Sequence, residues 1–238
     1  MKKLTRPIIA GLVLVSVSVI AVAQSAFSPD AYRGNDERGA KIAAWGTAKG
    51  VASCASCHGY DGVGNGDSQV PRLAGQTSAY LAQQLDKYAA GKRRNVYMTN
   101  FAERLSPQER ADVAAYYASL SSSFPPPKDE VTASLLDRGR QLANSGDDTL
   151  RVASCNNCHG PKGAGEPPDI PALQGQYSSY IIYRLQQLAA NHNDADLMSP
   201  VADALHTDDM QAVAAYYEHL PHSQRAGTPR TSESAGNE

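Results

Sequence analysis

Two short segments hold all 4 cysteines of the chain, in the same pattern. Residues 54–59 have the sequence CASCHG and residues 155–160 have CNNCHG, so a histidine directly follows the second cysteine of each pair. The two thiols of a CxxCH segment can add to the vinyl groups of a haem, which places the histidine where it can bind the iron. These residue types at this spacing therefore indicate covalent haem attachment.

Three other kinds of site use paired cysteines. A disulfide framework suits an exported protein, but two cysteines this close in sequence rarely join distant parts of a chain. A thioredoxin-like dithiol needs a βαβ context, and no strand pattern flanks either pair. A four-cysteine zinc site would have to bridge 97 intervening residues and would use neither histidine. Haem attachment uses every residue of both segments.

We therefore predict two covalently bound haem c groups. The predicted attachment residues are the cysteines Cys54, Cys57, Cys155 and Cys158. The predicted proximal iron ligands are His58 and His159, because each follows its second cysteine directly.

The two CxxCH segments belong to a tandem repeat. PRLAGQ at residues 71–76 recurs as PALQGQ at 171–176, and VAAYY at 113–117 recurs at 213–217, both at an offset of 100. A repeat of this length predicts two domains of the same fold. We place half one at residues 24–123 and half two at 124–222, with a proline-rich linker at 121–129 that is expected to be extended and semi-rigid.

The two ends of the chain differ from the repeat in composition. Residues 1–23 have a basic start, an apolar stretch and Ala21-Val22-Ala23, a pattern typical of a signal peptide cleaved after Ala23. The apolar stretch is shorter than the roughly 20 residues of a spanning helix, so we expect export to the periplasm with no membrane span after cleavage. Cleavage leaves 19 Lys/Arg against 24 Asp/Glu, a balance that gives no indication of nucleic-acid binding. The polar tail at 223–238 is predicted to be disordered.

Each half is predicted to be mainly helical. Ser106 and Glu109 form a capping box with proline at the first helical position. Val113, Tyr117 and Leu120 then share one face of the helix. In half two, Thr207 is predicted to cap the equivalent helix, and further helices are predicted at residues 36–45, 79–90, 134–144 and 178–190. Long Gly- and Pro-rich loops between these helices leave a thin core, which a bound haem would complete.

The order of motifs in each half resembles class I cytochrome c. A glycine-containing helix, CxxCH, PxLxGQ, a methionine and a VAAYYxxL helix follow one another, and their duplication is similar to the di-haem cytochromes of the cytochrome c4 type. The resemblance covers about residues 34–220. It implies two tandem, mainly α cytochrome c domains, whose haems face each other across the domain boundary. It also implies single-electron transfer in the bacterial periplasm, commonly toward a terminal oxidase.

A haem iron with one histidine ligand needs a second axial ligand for electron transfer, and thioether sulfur is a usual one. Half one has a single methionine, Met98, in a polar stretch. Half two offers more candidates, but Met198 alone has a methionine as its repeat partner. We predict Met98 and Met198 as axial ligands and Met210 as a core residue. The remaining histidines are predicted to lie at the surface: His192, His206, His219 and His222.

Two further residue types have predicted roles beside the haems. In the resembled family a proline carbonyl accepts a hydrogen bond from the axial histidine, and Pro71 and Pro171 stand 13 and 12 residues after their histidines. Gly39 and Gly139 lie within predicted helices, where glycine costs stability. A close helix crossing against the tyrosines of the VAAYY segments would explain them.

We expect a protein that carries single electrons between redox partners and converts no substrate itself. The alternative with the same chemistry is the cytochrome subunit of a periplasmic dehydrogenase that oxidises sulfide or an alcohol. A di-haem peroxidase would need an open haem site, against which Met98 and Met198 argue. The expected partners are redox proteins, which include a membrane oxidase or dehydrogenase to which the protein docks.

The two halves differ in charge. Residues 24–126 carry 11 Lys/Arg against 9 Asp/Glu, and residues 127–238 carry 8 against 15. Lys92, Arg93 and Arg94 precede Met98, whereas the matched segment in half two is acidic. We expect the basic segment to orient half one toward an acidic partner.

Overall fold

The computed structural model of the protein describes residues 33–121, 124, 126–127, 130–190 and 197–220. The predicted signal peptide, the tail and much of the linker lie outside these residues. Within them the regular structure is helical, and extended pairing is limited to isolated bridges such as Asn65 with Val70. The predicted mainly α fold is confirmed.

The described residues of each half contain the same five helices in the same order. In half one they are α1 Asp36–Trp45, α2 Ala55–His58, α3 Ser78–Ala89, α4 Val96–Arg104 and α5 Pro107–Ser119. In half two they are α6 Ala133–Asn144, α7 Asn156–His159, α8 Ser178–Ala190, α9 Met198–Ala204 and α10 Thr207–Glu218. A short 3-10 helix, Pro161–Gly163, follows α7. None of the helices in the described ranges has both the length and the apolar character needed to cross a bilayer.

The first and last helices of each half cross closely, α1 against α5 and α6 against α10. A Cβ at Gly39 would lie 2.0 Å from the backbone oxygen of Asp112, and one at Gly139 would lie 2.1 Å from that of Ala212. The same two Cβ atoms would lie 2.8 and 2.7 Å from the Cβ atoms of Tyr116 and Tyr216. The predicted close crossing is therefore confirmed, and the backbone itself is the nearest neighbour.

The starts of α5 and α10 differ. The predicted capping box of α5 is present, since Ser106 accepts a hydrogen bond from the Glu109 N–H and Glu109 accepts one from the Ser106 N–H. The predicted N-cap residue of α10, Thr207, was wrong by one position. His206 is the N-cap residue, Thr207 is the first helical residue, and Asp209 accepts from the His206 N–H. The repeat partner of Ser106 keeps the capping position although its side chain has changed.

The two halves have buried cores of different size. In half one a cluster of Ala43, Val113 and Tyr117 is buried, and Leu120 packs against it. Half two has a larger cluster, in which Val213 and Tyr217 come from α10 and further apolar residues come from α6, α8 and α9. The predicted apolar face of α5 is confirmed.

Candidate haem-binding sites

Each CxxCH segment forms a one-turn helix with its first cysteine at the N-cap, α2 after Cys54 and α7 after Cys155. These two cysteines are half-buried, whereas Cys57 and Cys158 are exposed, and none of the four forms a disulfide. Burial raises the pKa of Cys54 to about 11 and also raises the pKa of Cys155. Both pairs thus present an inner and an outer thiol on one helical turn.

The histidines of both segments are buried and oriented in the same way. Nδ1 of His58 lies 3.1 Å from the carbonyl oxygen of Pro71, and Nδ1 of His159 lies 2.9 Å from that of Pro171. A carbonyl can only accept, so Nδ1 carries the proton and Nε2 keeps its lone pair. Burial lowers the pKa of both rings, and the proline carbonyls only partly oppose it. Each ring is therefore held neutral, in the form that can bind a metal through Nε2.

A glycine-rich loop brings each proline back to its histidine. In half one the Gly64 N–H donates to the His58 carbonyl at 2.9 Å, and the Leu73 N–H donates to the Gly62 carbonyl at 2.8 Å. Gly64 has a φ of +73°, and a Cβ there would lie 2.5 Å from the Pro71 oxygen. Half two repeats these bonds through Gly165 and Gly163. The loops that the sequence left without regular structure thus position the histidines.

Tyrosines from the last helix of each half support the CxxCH turn. The Tyr117 hydroxyl donates to the carbonyl of Gly59 at 3.2 Å, and Tyr217 donates to the side chain of Asn156 at 2.9 Å. Both tyrosines are almost fully buried. The sequence indicated that they face the core, but it did not indicate that their hydroxyl groups reach the haem-attachment segment.

The two methionines lie at the starts of short helices, rather than in the polar loops that the sequence suggested. Met98 lies in the first turn of α4, where its N–H donates to the Asn95 side chain. Met198 is the first residue of α9, and its half-buried side chain packs against the same apolar cluster as Cys155. Met210 is buried in that cluster, as predicted.

Two of the predicted surface histidines, His206 and His219, are exposed as expected. The other two, His192 and His222, lie outside the described residues. Over the part of the chain that is described, no three or more His, Cys, Asp or Glu side chains are grouped to hold a metal ion.

Arg93 does not occupy the position that the sequence suggested. It was expected on a basic docking loop, but it is 5% exposed. Its guanidinium donates to Gln84 at 2.9 Å and, across the boundary between the halves, to the Tyr180 hydroxyl at 2.7 Å. Lys92 and Arg94 are exposed. The backbone turn after α3 directs the middle residue inward, which a run of three basic letters does not indicate.

Buried Arg93 lies near a second cation, the half-buried Arg184, whose guanidinium donates to Gln187 at 3.3 Å. Burial, followed by the charge of Arg93, lowers the pKa of Arg184. Neither guanidinium forms an ion pair with a described residue, and Nε of Arg93 has no hydrogen-bond partner there. Buried cations without a counter-charge are costly. A haem brings two propionate carboxylates, so the residues present fit a group of this charge.

Comparison with known proteins identifies the fold and the cofactor. The cytochrome c family profile matches residues 37–121, and a profile described as cytochrome c oxidase, cbb3-type, subunit III matches residues 141–216. Cytochrome c4 of Pseudomonas aeruginosa is 33% identical over 183 residues, which cover 75% of this chain and 88% of that protein. The thiosulfate dehydrogenase electron acceptor of Thiomonas intermedia is 36% identical over 174 residues, 72% of this chain and 80% of that protein.

Two solved structures extend the comparison. Reduced recombinant cytochrome c4 from Pseudomonas stutzeri superposes with a TM-score of 0.67 at 30% identity, over 79% of this chain and 100% of that chain. Thiosulfate dehydrogenase (TsdBA) from Marichromatium purpuratum gives a TM-score of 0.70 at 39% identity. The match covers 78% of this chain but 40% of that longer chain.

The chain belongs to the cytochrome c4 family of di-haem cytochromes c. It consists of two cytochrome c domains that carry two covalently bound haem c groups, and it carries electrons. The prediction from the paired CxxCH segments that the chain binds two haem c groups covalently is therefore confirmed.

Proposed function

We propose that the protein is a periplasmic one-electron carrier with one His–Met haem in each half. In this proposal half one uses Cys54 and Cys57 for attachment with His58 and Met98 as axial ligands. Half two uses the corresponding set, Cys155, Cys158, His159 and Met198. The observation that carries the proposal is the oriented histidine in both halves, whose Nδ1 is held by a proline carbonyl and whose Nε2 is free for iron.

A bound haem would supply an iron that alternates between its ferrous and ferric states. The chain orients the ligands and keeps water away from them. Pro71 and Pro171 fix the tautomer and ring orientation of the histidines, and the tyrosines Tyr117 and Tyr217 hold the attachment turns in place. With a methionine available to each iron, we propose that the protein passes electrons on and converts no substrate itself.

The methionine ligands can be tested by spectroscopy of the ferric protein. Met–Fe coordination gives a weak near-infrared charge-transfer band, and Met98→Ala and Met198→Ala should each remove about half of it. Met210→Ala is the control, because Met210 is buried in the apolar core. A band that depends on another side chain, with Met198→Ala unchanged, would contradict the assignment in half two.

The relatives favour one candidate for the protein that donates electrons to this chain. The sequence suggested a dehydrogenase for sulfide or an alcohol, or transfer toward a terminal oxidase. The relative from Thiomonas intermedia is named as the electron acceptor of a thiosulfate dehydrogenase. We therefore propose a thiosulfate-oxidising dehydrogenase as the electron donor to this protein.

Stopped-flow mixing tests this partner. The oxidised protein should be reduced when it is mixed with thiosulfate and a thiosulfate dehydrogenase, and it should remain oxidised with thiosulfate alone. Failure to accept electrons from an enzyme that reduces ferricyanide under the same conditions would contradict this donor. That failure would leave the haem ligation untouched.

A further inference from the structure

Two glutamines join the halves in a reciprocal arrangement. Oε1 of Gln176 accepts a hydrogen bond from the Arg72 N–H at 3.0 Å, and its Nε2 donates to the Arg72 carbonyl at 3.0 Å. Gln76 makes the same two bonds with Ala172, both at 3.1 Å. These residues occupy equivalent positions of the repeat, so each half clamps the same backbone residue of the other. We call the two sets of bonds the glutamine clamps.

Each clamp binds the peptide group that also binds a histidine. The Arg72 N–H and the Pro71 carbonyl belong to one peptide unit, and that carbonyl accepts from Nδ1 of His58. A continuous chain of hydrogen bonds therefore runs from Gln176 of half two through this peptide to His58 of half one. The mirror chain runs from Gln76 to His159.

The clamps are held rigidly. Oε1 of each glutamine also accepts the backbone N–H of the next residue in its own half, from Thr77 at 3.2 Å and from Tyr177 at 3.1 Å. The buried guanidinium of Arg72 stacks on the Tyr177 ring at 3.9 Å and donates to the Gly175 carbonyl. At one clamp, the Arg72 side chain thus makes additional contacts with half two. At the other clamp, the methyl side chain of Ala172 cannot make such contacts.

Hydrogen bonds in a chain polarise one another. A peptide whose N–H donates to Oε1 carries more negative charge on its carbonyl oxygen, which then accepts more strongly from the histidine. A stronger bond at Nδ1 raises the basicity of the imidazole toward iron. A more basic ligand stabilises the ferric state over the ferrous state.

We propose that Gln76 and Gln176 are positioning residues that act across the domain boundary. Each sets the ligand strength of the axial histidine in the other half, and therefore the reduction potential of the other haem. The proposal rests on the proposed function for its assignment of His58 and His159 as ligands. It gives the domain interface a role in setting the two potentials, in addition to holding the halves together.

The test uses the complete di-haem protein and substitutions of Gln176. Gln176→Ala removes the acceptor from the Arg72 N–H, so the haem bound to His58 should become easier to reduce. At a fixed solution potential, the ratio of its ferrous to its ferric form should rise about threefold. That change corresponds to roughly 30 mV for one electron. Gln176→Glu offers a carboxylate, a stronger acceptor, and should shift the same haem in the opposite direction. Gln76→Ala should instead raise the potential of the haem bound to His159.

The two haems are distinguished by proton NMR, through the shifted methyl signals of their axial methionines during a redox titration. The Nδ1 proton of His58 in the reduced protein gives a second signal, and Gln176→Ala should move it upfield as its hydrogen bond weakens. Ser179→Ala is the matched control, because Ser179 donates to the Gly66 carbonyl at 2.7 Å across the same boundary without touching either peptide. It should leave both potentials unchanged.

Three results would overturn the proposal. They are a shift confined to the haem of the substituted half, shifts of the same sign for Gln176→Ala and Gln176→Glu, and an equal shift for Ser179→Ala. Failure of the ligand assignment would be distinguishable from these results. In that case the unsubstituted protein would lack the haem-shifted ring protons of His58 and His159, which would contradict the proposed ligands and the clamps together.

Discussion

Single glycines determine how closely the helices of each half can pack. Gly39 faces the backbone of α5, and Gly139 faces the backbone of α10. A methyl group at either position would overlap a carbonyl oxygen that belongs to a helix and cannot rotate away. The last helix carries the tyrosine that holds the CxxCH turn, so this packing also determines where the haem-attachment residues lie.

Gly39→Ala should therefore destabilise half one, although alanine is the better helix former. Overpacking of this kind costs about 1–3 kcal/mol, which exceeds the roughly 1 kcal/mol gained in helix propensity. Urea unfolding followed by the fluorescence of Trp45, the single tryptophan of the chain, reports on this half. Lys41→Ala, on the exposed side of the same helix, is the control. An equal or higher unfolding free energy for Gly39→Ala would contradict the close crossing.

The roles of residues whose partners lie nearby in sequence could be predicted. The roles of residues that contact the other half could not. Each CxxCH segment and the proline that orients its histidine lie within one short stretch of chain, with 13 positions between His58 and Pro71. The Arg93–Tyr180 contact joins residues 87 positions apart, and the clamp of Gln176 on Arg72 spans 104. Nothing in the local pattern of a surface loop indicates that its middle arginine is buried against another domain.

At the scale of elements, one carboxylate ties the start of α1 to α5. Asp112, whose side chain is 3% exposed, accepts from the Arg38 guanidinium at 2.7 Å and from the Asn35 N–H at 2.7 Å. Burial favours the neutral carboxyl, but the bonds from Arg38, Asn35 and Gln108 outweigh it. The pKa of Asp112 therefore lies below its usual range.

This lowered pKa predicts acid sensitivity of half one. The ionised form of Asp112 stabilises the folded state above the unfolded pKa of about 3.9, and that contribution is lost as the pH falls through the lower folded value. Asp112→Asn should lower the unfolding free energy at pH 6 and should flatten its dependence on pH below about 4. The measurement is urea unfolding by Trp45 fluorescence over this pH range.

Glu103→Gln is the control for the acid experiment, because Glu103 is an exposed carboxylate on α4 of the same half. Exposed charges contribute little to stability, so the unfolding free energy of this variant should stay close to that of the unsubstituted protein. The same slope for Asp112→Asn and the unsubstituted protein would show that Asp112 does not link α1 to α5 through its charge.

Element prediction succeeded where capping and periodicity were strong. The bounds of α1 and α8 match the predicted ranges, and those of α3 and α6 differ from them by one residue. The short helices α4 and α9 were missed because they have few residues and lie among polar ones. Their first turns carry Met98 and Met198, so these two missed helices hold the proposed sixth ligands.

At the scale of the whole molecule, half one carries an exposed surface that is both basic and apolar. Lys92 and Arg94 are exposed on half one. Val96 is 86% exposed and Tyr97 is 72% exposed, directly before Met98. These four residues combine positive charge with apolar surface next to a proposed iron ligand. Arg93, buried against half two, is not part of this surface.

Small oxidants of opposite charge should detect this surface. At low ionic strength, the double substitution Lys92→Glu and Arg94→Glu should slow oxidation by anionic ferricyanide and speed oxidation by a cationic cobalt complex. Added salt should reduce both effects. Lys41→Glu, on α1, is a control for net charge alone. Changes of the same sign with both oxidants would contradict electrostatic steering at this surface.

A di-haem cytochrome c must carry one covalently attached haem at each CxxCH segment, and intact-mass spectrometry tests this directly. After acid-acetone extraction, the purified protein should show the mass of its polypeptide plus two haems. Replacing Cys54 and Cys57 by alanine should leave one haem, and replacing Cys155 and Cys158 should leave the other. Haem that is lost on extraction, or two haems retained after one segment is removed, would contradict covalent attachment at these two segments.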